Sequence, residues 1–171
     1  MSLSENLRDE MFSGTKKVAE NLKIEASKLQ PWIDAHVPGA GAIKKIEQFK
    51  GGQSNPTYKI ITEGKDLVLR RKPPGKLLQS AHAVDREYKV ITALYETDVP
   101  VPKTYGLCED DDVAGTAFFV MDCLDGNIFW DPMIPSISKE DRIKVYQNKN
   151  KTLAALHSCL LYTSPSPRDR G

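Results

Sequence analysis

Cysteine is scarce in this chain, with only Cys108, Cys123 and Cys159. They make no CxxC pair and no even set, which leaves neither a disulfide framework nor a cysteine zinc site. An excess of charge of one sign is also missing. The 24 basic and 23 acidic residues leave a net charge of +1, unlike a nucleic-acid binder or a polybasic membrane anchor. No apolar run approaches the roughly 20 residues of a membrane span. The opening MSLSENLRDEMF has no apolar signal-peptide core and is too acidic for a transit peptide. The chain is expected to be cytoplasmic, with neither nucleic acid nor membrane as a partner. No internal repeat occurs.

What remains is ordinary globular material: 171 residues, 40% hydrophobic and 27% charged. That length suits one compact unit, or one and part of another, and needs no covalent staple. Residues 1–24 are polar and weakly periodic and read as a loosely attached helical arm. A firmer helix follows in SKLQPWIDAHVPG, with Ser27 as its cap, Pro31 in its first turn and Pro38-Gly39 as its stop. Leu29, Trp32, Ile33 and His36 recur on it at helical spacing.

Then the period changes. Ile43 to Phe49, Thr57 to Thr62 and residues 67–71 are rich in β-branched and aromatic side chains and are separated by turn chemistry. An antiparallel meander is the economical reading. An amphipathic helix is expected over residues 81–96, with Val84, Tyr88, Ile91 and Tyr95 on one stripe. Two further strands follow, Thr104 to Cys108 and residues 116–121, joined by the acidic turn 109–115. Ser138 and Asp141 make a capping-box pattern for a last helix that carries Ile143, Tyr146, Leu153 and Leu156 toward a core. Residues 159–171, with two Ser-Pro steps and no periodicity, read either as a disordered tail or as sequence foreign to the domain.

Four features carry chemistry. GGQSNPTYK lies between two strands, where small residues let backbone N–H groups approach an anion. It is not a Walker A loop, and by itself it fits a plain hairpin turn. Val68 and Arg70, two apart on a strand, share a face, which suits an apolar roof over a base beside a phosphate contact. Glu87 lies only about 60° from Val84 around its helix, so its carboxylate is turned toward the sheet and Arg70 is an available cation. Finally FFVMDCLDG is an apolar strand that abruptly meets polar residues and a glycine, as at the edge of a cleft.

Taken in order, these features resemble the small lobe of the protein-kinase-like fold. GGQSNPTYKI, LVLRRKPPGKLL, SAHAVDREYKVITAL, VPVPKTYGLCED, FFVMDCLDG and LAALHS resemble the aminoglycoside phosphotransferase and choline kinase branch. Within it they are similar to stand-alone phosphotransferase-like proteins and to the kinase-like domain of long acyl-CoA dehydrogenases. The resemblance covers residues 29–158. It implies an α+β fold: a kinase-like N-terminal lobe over 25–124, with an antiparallel sheet of about five strands and one packed helix. Residues 125–158 would be a linker and the first helix of a truncated C-lobe.

The resemblance also implies roles. Gln53, Ser54 and Asn55 would lie over the ATP phosphates. Arg70 would stand for the strand lysine that reaches the α- and β-phosphates, with Glu87 as its helix partner. Val68 would roof the base and Met121 would back the adenine pocket, while backbone of Asp122, Cys123 and Leu124 would bind the base. ATP and a small hydroxylated metabolite are the implied partners. Mg²⁺ is expected only in a full-length protein, because this chain departs from the pattern. Such kinases use a His-Gly-Asp catalytic loop and a later metal-binding aspartate, and none of His36, His82 and His157 precedes Gly-Asp. Asp110, Asp111 and Asp112 sit in a turn and read as a solvated tip. The chain is thus expected to be inactive as supplied. A non-catalytic nucleotide-binding module and a protein-interaction domain are the alternatives. An unpaired lobe is further expected to expose apolar surface around Phe129, Trp130 and Ile134, with His157 packed inside.

Overall fold

A computed structural model describes residues 13–51, 55–75, 82–129 and 131–159. Its centre is a six-stranded sheet in the order β1-β2-β3-β4-β6-β5, antiparallel throughout. The strands are β1 (Thr15–Lys16), β2 (Ile43–Phe49), β3 (Thr57–Thr62), β4 (Asp66–Arg71), β5 (Thr104–Cys108) and β6 (Phe118–Asp122). The helices are α1 (Ala26–His36), α2 (Val84–Leu94), the single turn α3 (Asp111–Ala114) and α4 (Lys139–Ser158). No helix among the described residues is long and apolar enough to cross a membrane.

Alternation fixes which face each strand buries. In β3, Tyr58, Ile60 and Thr62 are buried while Thr57, Lys59 and Ile61 are only half covered. Leu29 and Ile33 of α1, with Val37 just past its end, meet Tyr58, Leu69, Phe118 and their neighbours in one cluster. The Trp32 ring meets Phe118 edge-on with centroids 5.1 Å apart. The next residue, Phe119, points the other way and meets Tyr88 of α2 at 6.0 Å. The sheet therefore carries α1 on one face and α2 on the other. Double cover explains why Leu67, Val68, Leu69 and Arg71 of β4 are buried without alternation.

The five expected strands are all present, and the structure adds a sixth. Residues 13–24 do not form the expected helix. They make the two-residue β1 and a 3₁₀ turn over Glu20–Leu22. Nor is this part loose: Leu22 O accepts from the Tyr58 hydroxyl at 2.9 Å and from Arg71 Nη2 at 3.1 Å. Local propensity is weak in so short a segment, and these tertiary bonds decide it. Helix α1 starts earlier than its cap signal suggested, with Glu25 at the N-cap and no side-chain capping bond. Ser27 and Pro31 thus lie inside it.

Two corrections concern burial. Tyr95 falls past the end of α2 and is 46% exposed, and Leu94 is buried in its place. In α4 the capping box forms as expected, Asp141 N–H donating to Ser138 Oγ at 3.0 Å. Yet no α4 residue is buried, and Ile143, Tyr146, Leu153 and Leu156 are exposed, as is His157. Helical spacing shows which side chains share a stripe; whether anything covers that stripe is a tertiary matter.

Candidate functional site

The α2 face of the sheet gathers most of the expected site. Thr57 pairs with Arg70 across β3–β4, Arg70 with Phe119 and Val68 with Met121 across β4–β6. Directly opposed residues point to one side. Hence Val68, Arg70 and Met121 lie on the face that α2 covers. Val68 is buried and Arg70 and Met121 are half-buried.

Glu87, in the first turn of α2, supplies the carboxylate. Both its oxygens lie 2.7 Å from Arg70 Nε. Arg70 Nη1 donates to the Thr57 hydroxyl at 3.2 Å, and that hydroxyl donates to Asn55 O at 3.1 Å. The guanidinium is thereby fixed at two of its nitrogens. Its Nη2 has no partner among the described residues. A pair only one-quarter to one-third exposed is shielded from solvent more than a surface ion pair is, and its value here is orientation.

Asn55 is buried, and its side-chain oxygen lies 3.0 Å from His82 Nδ1. His82 adopts φ +59°, a left-handed conformation unusual for a non-glycine residue. The bond ties the end of the glycine-bearing loop to the start of α2. Gln53 and Ser54, like Trp130, lie outside the described residues.

The end of β6 holds the remaining candidates. Asp122 N–H donates to Lys103 O at 2.9 Å and Cys123 N–H to Asp66 O at 3.4 Å. The Leu124 N–H has no acceptor among the described residues, and its side chain is 66% exposed. Burial pushes the Cys123 thiol up, with nearby Lys59 opposing, so it is a poor nucleophile.

Two features stand apart from this face. Arg71, one residue on, turns to the other side, is buried, and donates from Nη1 to Ala114 O at 2.6 Å over the Tyr58 ring. Burial lowers its affinity for a proton, and its contacts mark it as structural. Among the described residues no group of three or more His, Cys, Asp or Glu could hold a metal ion. Asp110 is occupied as the cap of α3, accepting from Asp112 N–H at 2.9 Å.

A family model described as "Phosphotransferase enzyme family" matches residues 45–171. The chain belongs to this family. The chain is 55% identical over 119 residues to an Arabidopsis thaliana protein named "Probable acyl-CoA dehydrogenase IBR3", covering 67% of the chain and 14% of that protein. It is 40% identical over 153 residues to human acyl-CoA dehydrogenase family member 11, covering 85% of the chain and 20% of that protein. It thus spans a fifth or less of these relatives. A crystal structure from Ralstonia eutropha JMP134, named "putative aminoglycoside phosphotransferase", superposes with a TM-score of 0.72 at 39% identity. That match covers 85% of this chain and 44% of the other. The fold is accordingly the kinase-like fold of this phosphotransferase family.

Sequence reasoning missed Thr57, His82, Tyr105 and Lys65, all of which hold candidate residues in place. Thr57 had a readable signal, since hairpin register puts it opposite Arg70. The others act across long sequence separations, which no local pattern reports.

Proposed function

We propose that this chain is the ATP-binding half of a phosphotransferase that acts on a hydroxyl group of a small molecule. Residues 25–124 form the nucleotide-binding lobe, and 125–158 the linker and first helix of a catalytic lobe. The observation that carries the reading is the Arg70–Glu87 pair: a guanidinium held at Nε and Nη1, with Nη2 unpartnered among the described residues, beside Val68 and Met121. An arginine fixed in this way is suited to a phosphate oxygen, and the apolar pair beside it to a purine face. Backbone of 122–124 supplies hydrogen bonds to the base edge, and the loop bearing Gln53 and Ser54 covers the phosphates.

The sequence contains no His-Gly-Asp motif, and no metal-ligand cluster occurs among the described residues. Phosphoryl transfer depends on positioning and charge neutralisation, which a base and metal ligands provide. The chain is therefore an ATP binder that transfers no phosphoryl group by itself. The same lack of a catalytic motif favours a second reading, a nucleotide-binding regulatory module that never performs catalysis.

Calorimetric titration with ATP tests the first claim. The chain should bind ATP, and Arg70→Ala should weaken binding about tenfold or more through loss of a charged hydrogen bond. A chain that ignores nucleotide, or an Arg70→Ala variant that binds as the parent does, would sink the reading. Turnover of Mg-ATP by the purified chain would overturn the claim of inactivity.

A further inference from the structure

Tyr105 stands where β5 slips its register against β6, between Thr104 and Gly106. Its ring packs against the core on the α1 side of the sheet. The hydroxyl donates to Asp122 Oδ1 at 2.5 Å and accepts from Lys65 Nζ at 2.9 Å. Lys65 comes from the turn between β3 and β4. Its ammonium also lies 4.5 Å from the Tyr105 ring centroid, with that of Lys103 at 5.5 Å. A lysine, a tyrosine and an aspartate from three different segments thus form one hydrogen-bonded chain. The phenol stays protonated at neutral pH, its pKa pushed up to about 12 by burial and by the bond to Asp122.

This chain lies behind the candidate site. Asp122 follows Met121, so the two side chains leave opposite faces of β6. Met121 faces the Arg70 side and Asp122 faces Tyr105. Residues 124–129 are all exposed. Asp122 and Cys123 are therefore the last residues at which the sheet can set the direction of the segment that follows. They are held three ways: by Lys103 O, by Asp66 O and, through the carboxylate, by Tyr105.

We infer that Tyr105 and Lys65 are positioning residues for base recognition, the Tyr105 hydroxyl clamping the Asp122 carboxylate from behind the sheet and Lys65 holding that hydroxyl, so that the 122–124 backbone meets a purine edge at hydrogen-bonding angles. The inference rests on the ATP reading above and deepens it, assigning base selectivity to groups that do not touch the nucleotide. The physical ground is angular. A backbone hydrogen bond weakens steeply as its angle departs from linear, so a peptide free to rock reads adenine and guanine edges with little distinction. The charge-assisted bond from the Tyr105 hydroxyl to Asp122, steadied by the Lys65 ammonium on that hydroxyl, restricts that rocking.

Tyr105→Phe keeps the ring and removes the hydroxyl. Titrations with ATP, GTP and tripolyphosphate then separate the base from the phosphates. ATP affinity should fall severalfold as the base edge is met at poorer angles, and the preference for ATP over GTP should narrow by a similar factor. Tripolyphosphate affinity should not change, which a general loss of structure would not reproduce. Asp122→Asn, which can still accept from the hydroxyl, should lose less of the preference than Asp122→Ala. Should Tyr105→Phe fail to fold, Lys65→Met in the surface turn carries the same expectation with a smaller effect. A folded variant with the parent ratio of ATP to GTP affinity overturns the inference and leaves the ATP reading standing. A parent chain that binds no ATP overturns that reading, and this inference with it.

Discussion

Two adjacent arginines show how one residue of register decides between a site and a scaffold. Arg70 points toward α2 and meets Glu87 at 2.7 Å, whereas Arg71 points toward α1 and bonds main-chain oxygens of Leu22 and Ala114. The choice of Arg70 was legible from the strand period, because Val68 and Arg70 share a face. The role of Arg71 was not, since its partners lie more than 40 residues away. Tyr105 gives a prediction at the same scale. Its pKa is pushed up to about 12 in the folded chain from an ordinary 10.0. The native state thus favours the neutral phenol, and the resulting stability is fully present below pH 10 and is lost as pH rises from 10 toward 12. Absorbance at 295 nm should show a tyrosine that ionises well above its ordinary range and is missing from Tyr105→Phe. A phenol at this position that ionises near pH 10 would contradict the buried hydroxyl–carboxylate bond.

At the scale of elements, the meander and α1 are joined at one tight point. Gly64, in the turn between β3 and β4, donates its N–H to Ala40 O at 2.7 Å. A Cβ built there would lie 1.9 Å from Gly39 O. That oxygen belongs to the main chain and cannot rotate away. Gly64→Ala should destabilise the chain by about 2 kcal/mol or more, through overpacking and loss of that bond. Chemical denaturation would measure it, and a parent-like midpoint would show that the turn can shift at little cost. The strands were read almost to the residue because β-branched runs between Gly, Pro and Asn turns leave little choice. The start of α1 was misread because Ser27 is a good cap residue, while here tertiary packing of Leu29 and Ile33 draws the helix back to Ala26.

On the scale of the molecule, the apolar side chains divide into two populations. Those at the centre of the layer between α1 and the sheet, such as Leu29, Ile33, Tyr58 and Phe118, are fully buried. Those of the linker and α4 are not: Leu124, Ile128, Met133, Ile143 and Leu153 range from 48% to 68% exposed. Ile134, expected at this surface, is instead buried, while Phe129 is exposed as expected. Apolar area gathered in one stretch invites association. The purified chain should bind a hydrophobic dye and self-associate with rising concentration. Ile143→Glu with Leu153→Glu should reduce both while leaving the melting temperature of the sheet unchanged. A parent chain that sediments as a monomer at high concentration without dye binding would refute this.

The sequence by itself determined the strands, their turns, the amphipathic face of α2 and the side of the sheet on which Arg70, Val68 and Glu87 lie, because each follows from a period of two or 3.6 residues. Tertiary structure alone decided that Leu22 closes over Arg71, that His82 reaches Asn55, and that Tyr105, held by Lys65, grips Asp122. Those contacts join segments 27 to 49 residues apart, or link strands through a register slip. Local periodicity states which way a side chain points, while its partner depends on how the whole chain is packed.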